Sequence, residues 1–228
     1  MQLNPILKGR FQNIWQQDDA LIEKIFFELF SETQIVQEAE FLCRQGHILD
    51  RLVMVRSGRV SLSYSAENGR RFQLGSIECD EQIFGEIEFF TEYLCQFDIV
   101  AEEPLTVAVC RCNSLENALN EHPRLAIFFA SAMAIDHQDT LEIFLHRMLY
   151  PIVHNVAYDL YHHHQNTQIM DGFDKKTLEA ERFGTTDRVY RRAVKVLTDA
   201  GLVTRTKEGL KINDLDGLRT YLGNTIID

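Results

Sequence analysis

A change of hydrophobic period at Asn113 divides this chain into a part patterned for sheet and a part patterned for helix. Between Gln34 and Arg111 apolar residues come in short runs separated by turn residues. Arg51-Leu-Val-Met-Val-Arg56 stops at Ser57-Gly58, and Arg59-Val-Ser-Leu-Ser-Tyr64 alternates after it. Glu67-Asn68-Gly69 reads as a hairpin turn, because Asn-Gly suits the two positive φ angles of a type I′ turn. Arg71–Leu74, Ile83–Glu86, Phe97–Val100 and Thr106–Cys110 supply further short runs. Many short strands at regular spacing predict a barrel, roll or sandwich. Downstream, Ser114–Asn120 reads as a short helix, and His122-Pro123 opens a long one that Pro151 ends. Upstream, Asp18–Phe30 reads as an amphipathic helix with Leu21, Ile22, Ile25, Phe26 and Leu29 on one side.

The long helix is apolar almost all round from Leu125 to Ile135. Such a helix needs two surfaces to bury it. One is the β-region, and the other is most simply a symmetry mate, so a homodimer through residues 122–150 is expected. No run of about 18 apolar residues exists to span a membrane. Met1–Phe11 lacks the pattern of a signal peptide, so the expected location is the cytoplasm. The five cysteines, Cys43, Cys79, Cys95, Cys110 and Cys112, form no C-x-x-C pair. Their odd number argues against a disulfide framework.

The net charge of −11 at first argues against nucleic acid, but it is unevenly spread. Residues 151–228 hold 11 basic and 11 acidic side chains, so the first 150 carry the whole excess. Within Arg182–Lys211 there are 8 basic against 3 acidic side chains. A basic island on an acidic protein is the electrostatic footprint of a DNA binder.

The local pattern there is a helix-turn-helix with a wing. Asp174 can cap a helix over Lys175–Phe183, Gly184 suits a left-handed turn, and Thr185 or Thr186 can cap the next helix, Thr186–Ala200. In that helix Val189, Ala193, Val196, Leu197 and Ala200 read as the buried stripe. Asp187, Arg188, Arg191, Arg192 and Lys195 read as the exposed face. Gly201–Thr206 and Gly209–Ile212 read as two strands of a wing around Lys207-Glu208. The helix would enter the major groove and the wing, with Arg205 and Lys207, would meet the backbone. An arginine fork matches the two acceptors of guanine. A merely solvated charged face is the bland alternative, and the order helix, glycine turn, arginine-rich helix, basic hairpin disfavours it.

Over nearly its full length the chain resembles the Crp/Fnr superfamily of bacterial regulators. The resemblance rests on Gln45-Gly46, Val55-x-Ser-Gly-Arg-Val60, Asn68-Gly-Arg70, Phe84-Gly-Glu-Ile-Glu-Phe-Phe90, the helix after His122-Pro123, and Gly184-x-Thr186. The Phe-Gly-Glu-Ile-Glu stretch and Thr177-x-x-Ala-Glu-x-Phe-Gly184 are most similar to its YeiL-type branch. The resemblance implies an α+β chain. A cyclic-nucleotide-binding-like β-roll (a double-stranded jelly roll) occupies 1–121, a dimerisation helix 122–150, and a winged helix-turn-helix 151–228. It implies sequence-specific binding of double-stranded DNA at a palindromic operator, with RNA polymerase a further partner if the outcome is activation. The family's base-contacting positions fall on Asp187, Arg188, Arg191 and Arg192. Asp187 departs from catabolite-activator-like members, which have arginine there.

The resemblance also frames the effector pocket. Cyclic-nucleotide binders follow a Gly-Glu pair with an Arg-Ser pair that holds the phosphate. Here Gly85-Glu86 is present, but the second position falls on Gln96-Phe97, without cation or hydroxyl. The adenine-reading serine of the dimer helix aligns near Leu141, beside Thr140. Cyclic AMP is therefore not an expected effector. Iron–sulfur members use cysteines near the N-terminus, and no cysteine precedes Cys43, so no such cluster and no other cofactor is expected. Cys110 and Cys112, two apart on an expected strand, could act as thiol sensors, although buried cysteine is more often a small hydrophobe. No enzyme is expected. A cupin-like metal site needs a His-x-His pair, and the β-region holds only His47. No P-loop, Ser/His/Asp or paired-cysteine motif is evident, so neither catalytic nor metal-binding residues are assigned.

Overall fold

The computed structural model of the chain describes residues 1, 9–69, 71–164, 180, 183–206 and 209–223, with the backbone alone at 139, 143 and 163. The chain divides by packing into two compact units. The first comprises 1–62 and 78–140, and the second 63–77 and 141–228. The division falls inside the long helix, and the tip of one β-hairpin goes with the second unit.

The first unit is a rolled antiparallel sheet with helices on one face. Its strands are β1 (Glu32–Val36), β2 (Phe41–Cys43), β3 (Arg51–Ser65), β4 (Arg71–Phe84), β5 (Asp98–Ala101) and β6 (Leu105–Arg111). They are ordered β1-β6-β3-β5-β2, with β4 paired to β3. In the register of β3 with β6, Leu52 faces Cys110 and Met54 faces Ala108. These four side chains meet Trp15, Ile22, Ile25, Phe26, Leu125, Phe128 and Phe129 from the helices. Val53, Val55, Val107 and Val109 point to the other face and are buried as well. Strands covered on both sides need continuous apolar runs rather than alternation, which is why Leu52–Val55 has no polar break.

Three helices build that cover: α1 (Gln12–Leu29), α3 (Cys112–Glu121) and the first half of α4 (Arg124–Leu149), while a short α2 (Glu86–Thr91) follows β4. The ring of Trp15 meets Phe128 edge-on at 4.6 Å, and Phe26 lies 5.4 Å from the same ring. Pro123 precedes α4 and Pro151 follows it, the two positions where the helix backbone tolerates or requires a proline.

Several boundaries differ from expectation. α1 starts six residues earlier than the pattern suggested, and Leu21 is exposed, because Trp15 supplies the apolar anchor instead. Ser57-Gly58 does not end a strand. β3 runs through it, with Gly58 at φ 113° where a Cβ would strike Leu105. The Asn68-Gly69 turn is not type I′. Only Gly69 has positive φ (78°), and its N–H closes on Ala66 O at 2.9 Å. That is a type I-like turn followed by a left-handed glycine. Ile83-Phe84 ends β4 and Glu86 opens α2, so Glu86 lies on a helix rather than a strand. β6 ends at Arg111 and Cys112 begins α3, so Cys110 and Cys112 do not share a strand.

The second unit packs α5 (Ile152–His164), α6 (Asp187–Asp199), β7 (Val203–Arg205), β8 (Leu210–Ile212) and α7 (Leu215–Leu222) around one core. Val156, Ala157, Tyr190, Ala193, Val194, Leu197, Leu218 and Leu222 form its centre. α7, which the sequence pattern did not reveal, is capped by the Asp214 carboxylate accepting from Gly217 N–H at 2.8 Å. The helix expected over Lys175–Phe183 lies outside the described residues apart from Ala180 and Phe183.

Candidate nucleic-acid interface

The entry to α6 is set by two local devices. Gly184 takes the left-handed conformation at φ 59°, and across it Thr185 N–H donates to Ala180 O at 3.0 Å. This six-to-one bond closes a helix C-terminus and reverses the chain. Thr186 is then extended, and its hydroxyl accepts from Val189 N–H at 3.5 Å as the N-cap of α6. The observed helix, Asp187–Asp199, therefore lies one residue inside the expected bounds at each end, with Thr186 and Ala200 as its caps.

Its phase is rotated from the expectation. The buried positions are Tyr190, Ala193, Val194 and Leu197, at i, i+3, i+4 and i+7, whereas Val189 is 44% and Val196 45% exposed, and Ala200 is exposed too. Tyr190 decides this, because its ring stacks on Phe183 at 5.8 Å and 17°. A large aromatic at one edge of the stripe draws that edge into the core and turns the valines out.

The outer face carries Asp187, Arg188, Arg191, Arg192 and Lys195, all exposed. Arg191 is ion-paired with Asp187, and Lys195 with Asp199 at 2.8 Å, each pair four residues apart. Arg188 and Arg192 make no ion pair among the described residues. Beside this face runs the β7–β8 hairpin, in which Thr204 faces Lys211 and Arg205 faces Leu210. Thr206 N–H reaches Gly209 O at 2.8 Å across the tip, and Lys207 lies outside the described residues. A small cleft between α6 and the hairpin is lined by Asp187, Tyr190, Arg191, Arg205 and Leu210. The guanidinium groups of Arg191 on the helix and Arg205 on the hairpin thus line one cleft, and Arg188 and Arg192 are exposed on the same helix.

The second half of α4 presents an apolar stripe. Leu141, Phe144, Leu145, Met148 and Leu149 are all exposed, Met148 by 61% and Leu149 by 71%. Their spacing of three and four puts them on one helical face.

Beneath α4's end, His146 is sandwiched among aromatic rings. Tyr158 stacks on it at 3.7 Å and Tyr150 at 4.5 Å, and Asn155 Oδ1 lies 2.9 Å from its Nδ1. Burial holds the pKa of His146, and of His162 farther along α5, below the ordinary histidine value.

In the first unit, Gly85 sits left-handed at φ 96° and opens α2, where an added Cβ would meet Leu49 at 2.8 Å. Glu86 is buried and takes the Met1 ammonium at 2.9 Å, which also reaches Asp136 at 3.3 Å. Gln96 is exposed, and its N–H donates to Glu88 Oε1 at 3.1 Å. Phe97 is half-buried and Thr140 exposed.

Burial pushes the Cys110 thiol up to about 12 and raises that of Cys112. The sequence pattern missed a different contact. Cys43 and Cys95 are both buried, and Gly46 N–H donates to Cys95 O and Cys95 N–H to His47 O, each at 2.8 Å. No spacing rule links the turn after β2 with the loop after α2, so only the folded chain reveals it.

The cyclic nucleotide-binding domain family matches residues 33–122. No curated protein sequence matches the chain. Among solved structures, the chain is similar to CLP of Xanthomonas campestris, a global regulator responsive to c-di-GMP. The TM-score is 0.72 at 16% identity, covering 86% of this chain and 100% of that one. It is similar to a mutant of CooA from Carboxydothermus hydrogenoformans, with TM-score 0.66 at 16% identity, covering 98% and 96%. It is also similar to a CRP/FNR-family transcriptional regulator from Thermus thermophilus, with TM-score 0.64 at 16% identity, covering 84% and 98%. Residues 33–122 thus match the cyclic nucleotide-binding domain family, and the chain has the fold of these solved structures.

Proposed function

We propose that this chain is a dimeric transcription regulator of the Crp/Fnr type that binds a palindromic DNA site through α6 and does not respond to cyclic AMP. The observation that carries the reading is the outer face of α6, where Arg188, Arg191 and Arg192 stand exposed on a capped helix beside Arg205 of the wing. Arginines on such a helix can fork onto guanine, while wing cations meet phosphates.

The apolar stripe of α4 supports dimerisation. Five large apolar side chains on one exposed helix face are costly in water, at roughly 25 cal/mol per Å² of apolar surface. A second copy of the same helix buries them symmetrically, and a dimer would present two α6 helices to half-sites about one DNA turn apart.

The segment at Gln96-Phe97 supports the absence of a cyclic AMP response. Gln96-Phe97 offers no charged partner for a phosphate, and Glu88 occupies the nearby amide. A missing charge-assisted hydrogen bond forfeits about 1.5–3 kcal/mol, or roughly 10- to 150-fold in affinity. The reading is that of a binding protein rather than an enzyme. The test is selection of bound fragments from random duplex DNA by the purified protein. A palindrome with half-sites one turn apart is the expected result, and a pool without enrichment overturns the reading.

A further inference from the structure

We propose that Glu86, Asp136 and the backbone of Ile83 form a binding site for an amino-terminal methionine, filled by the chain's own Met1, and that this self-contact governs DNA affinity in place of a diffusible effector. The site stands on the geometry of the β-roll unit alone. Only its effect on DNA affinity rests on the function proposed above.

Three features of Met1 are recognised, each by a different part of the site. The ammonium donates to Ile83 O at 2.7 Å and to Glu86 Oε1 at 2.9 Å, and Asp136 Oδ2 lies 3.3 Å away. An ammonium has three N–H donors, and three acceptors surround this one. The peptide unit is held as well. Ile83 N–H donates back to Met1 O at 2.7 Å, so Met1 and Ile83 exchange both backbone bonds as an antiparallel pair does. The side chain is the third feature. Met1 is 1% exposed and belongs to the core cluster that includes Ile83, Phe129 and Ala132. Chain termini are ordinarily poorly ordered unless something ties them down, and here charge, backbone and side chain are all tied.

The electrostatics explain why the site needs its occupant. The Glu86 side chain is only 9% exposed. A buried carboxylate is costly unless it is paired, and removing one partner of such a pair leaves the other charge uncompensated. Glu86 and Asp136 reach the same nitrogen, so without it two negative charges would face each other across a gap of one ammonium group. Glu86 opens α2 and Asp136 lies on α4. With Ile83 near the end of β4, one residue thus joins a strand and two helices. The ligand class follows from the same groups: a primary ammonium carrying an apolar side chain and a carbonyl. A phosphate brought here would meet two carboxylates, so the occupant and a cyclic nucleotide have opposite requirements.

The test compares the full chain starting at Met1 with the same chain carrying a Gly-Ser pair ahead of Met1. Intact mass spectrometry reads the start of the first chain. A free Met1 amine is expected, and a start that lacks Met1 or carries an acyl group overturns the proposal. The extension moves the ammonium away and should lower the thermal midpoint by about 2–4 °C, the shift that a modest loss of stability brings in a chain of this length. L-methioninamide in large excess should restore at least half of that shift in the extended chain. N-acetyl-L-methioninamide, which lacks the charge, should restore none. In Glu86→Gln the same extension should cost less than half as much, because the carboxylate it would orphan is gone. Asp136→Asn, at a half-exposed position, supplies the same comparison if Glu86→Gln does not fold. An equal cost of extension in wild type and variant, or equal rescue by the acetylated amide, overturns the site. Affinity for a selected DNA fragment then tests the consequence. The two chains should differ by at least about fivefold, a common size for coupling between sites. Equal affinities with the thermal coupling intact refute the regulatory step alone. Thermal coupling in a chain that binds no DNA in either form refutes the functional reading alone.

Discussion

Replacing Arg192 with alanine should weaken binding to a selected palindromic site more than replacing Arg191, although the two are neighbours on the same exposed face. Arg192 makes no ion pair among the described residues, so in the free protein nothing has to be given up before it meets a base. Its truncation should cost about 1–3 kcal/mol, or about 5- to 160-fold in affinity at one site. Arg191 is held by Asp187 four residues earlier. An exposed pair at that spacing is worth about 0.3–0.5 kcal/mol, and this must be surrendered before Arg191 turns to DNA. Its net contribution should be smaller by roughly twofold. The same argument reverses for Asp187→Ala. Removing that carboxylate frees Arg191 and deletes a charge that repels phosphate, so affinity for a scrambled duplex should rise by about twofold, and more at low salt. Fluorescence anisotropy at one fixed salt concentration, with the selected and the scrambled duplex side by side, measures all three. If Arg192→Ala stays within twofold of wild type on the selected site, α6 does not read bases as argued. If Asp187→Ala weakens binding to the scrambled duplex, the ion pair does not restrain Arg191.

Further expectations concern the wing, the dimer, the core and pH. Arg205→Ala should weaken binding to all sequences alike and lower the slope of log affinity against log salt by about 0.9, whereas an unchanged slope would remove the wing from the interface. Leu145→Asp with Met148→Asp should convert a dimer to a monomer in sedimentation at micromolar concentration, and a wild type that is already monomeric would dismiss the stripe as an interface. Phe128→Ala removes a ring that touches Trp15, Phe26 and Phe129 and should cost about 3–5 kcal/mol in denaturant unfolding; a loss below about 1 kcal/mol would contradict the tight packing. His146 and His162 have folded pKa values below their unfolded ones, so the unfolded chain binds more protons in that range. Their contribution to stability is present above about pH 6.5 and is lost as pH falls through the lowered folded values. His154 adds to that effect at His146, while Asp159 opposes it at both histidines and Glu142 at His162. Between pH 7.5 and 5.5, wild type should lose more stability than the doubly substituted His146→Gln, His162→Gln chain, and equal losses would exclude this origin.

Local signals in this chain proved reliable where one residue type satisfies one backbone need. Pro123 and Pro151 bracket α4 because a proline suits the first turn of a helix and breaks its interior. Gly184 and Thr186 mark the reversal and the cap of α6 because a left-handed residue and a hydroxyl acceptor are required there. The exposed arginines followed from the same helical period. Decisions between equivalent partners were not legible. Val189 and Val196 offer one apolar stripe and Tyr190 and Val194 another, and only Phe183, stacked against Tyr190, selects between them. Ser57-Gly58 has the composition of a turn, yet its continued pairing carries β3 straight through. The turn after β2 and the loop at Cys95 carry no mark in the chain that their backbones pair, as Gly46 and His47 do with Cys95. The sequence alone determined where α4 and α6 are bracketed and which face of α6 bears its charge, since those depend on neighbours within a turn or two. The helix phase, the strand lengths and the pairing of the Cys95 loop with the turn after β2 were left to tertiary structure, because packing and sheet pairing join residues whose separation along the chain carries no periodic signal.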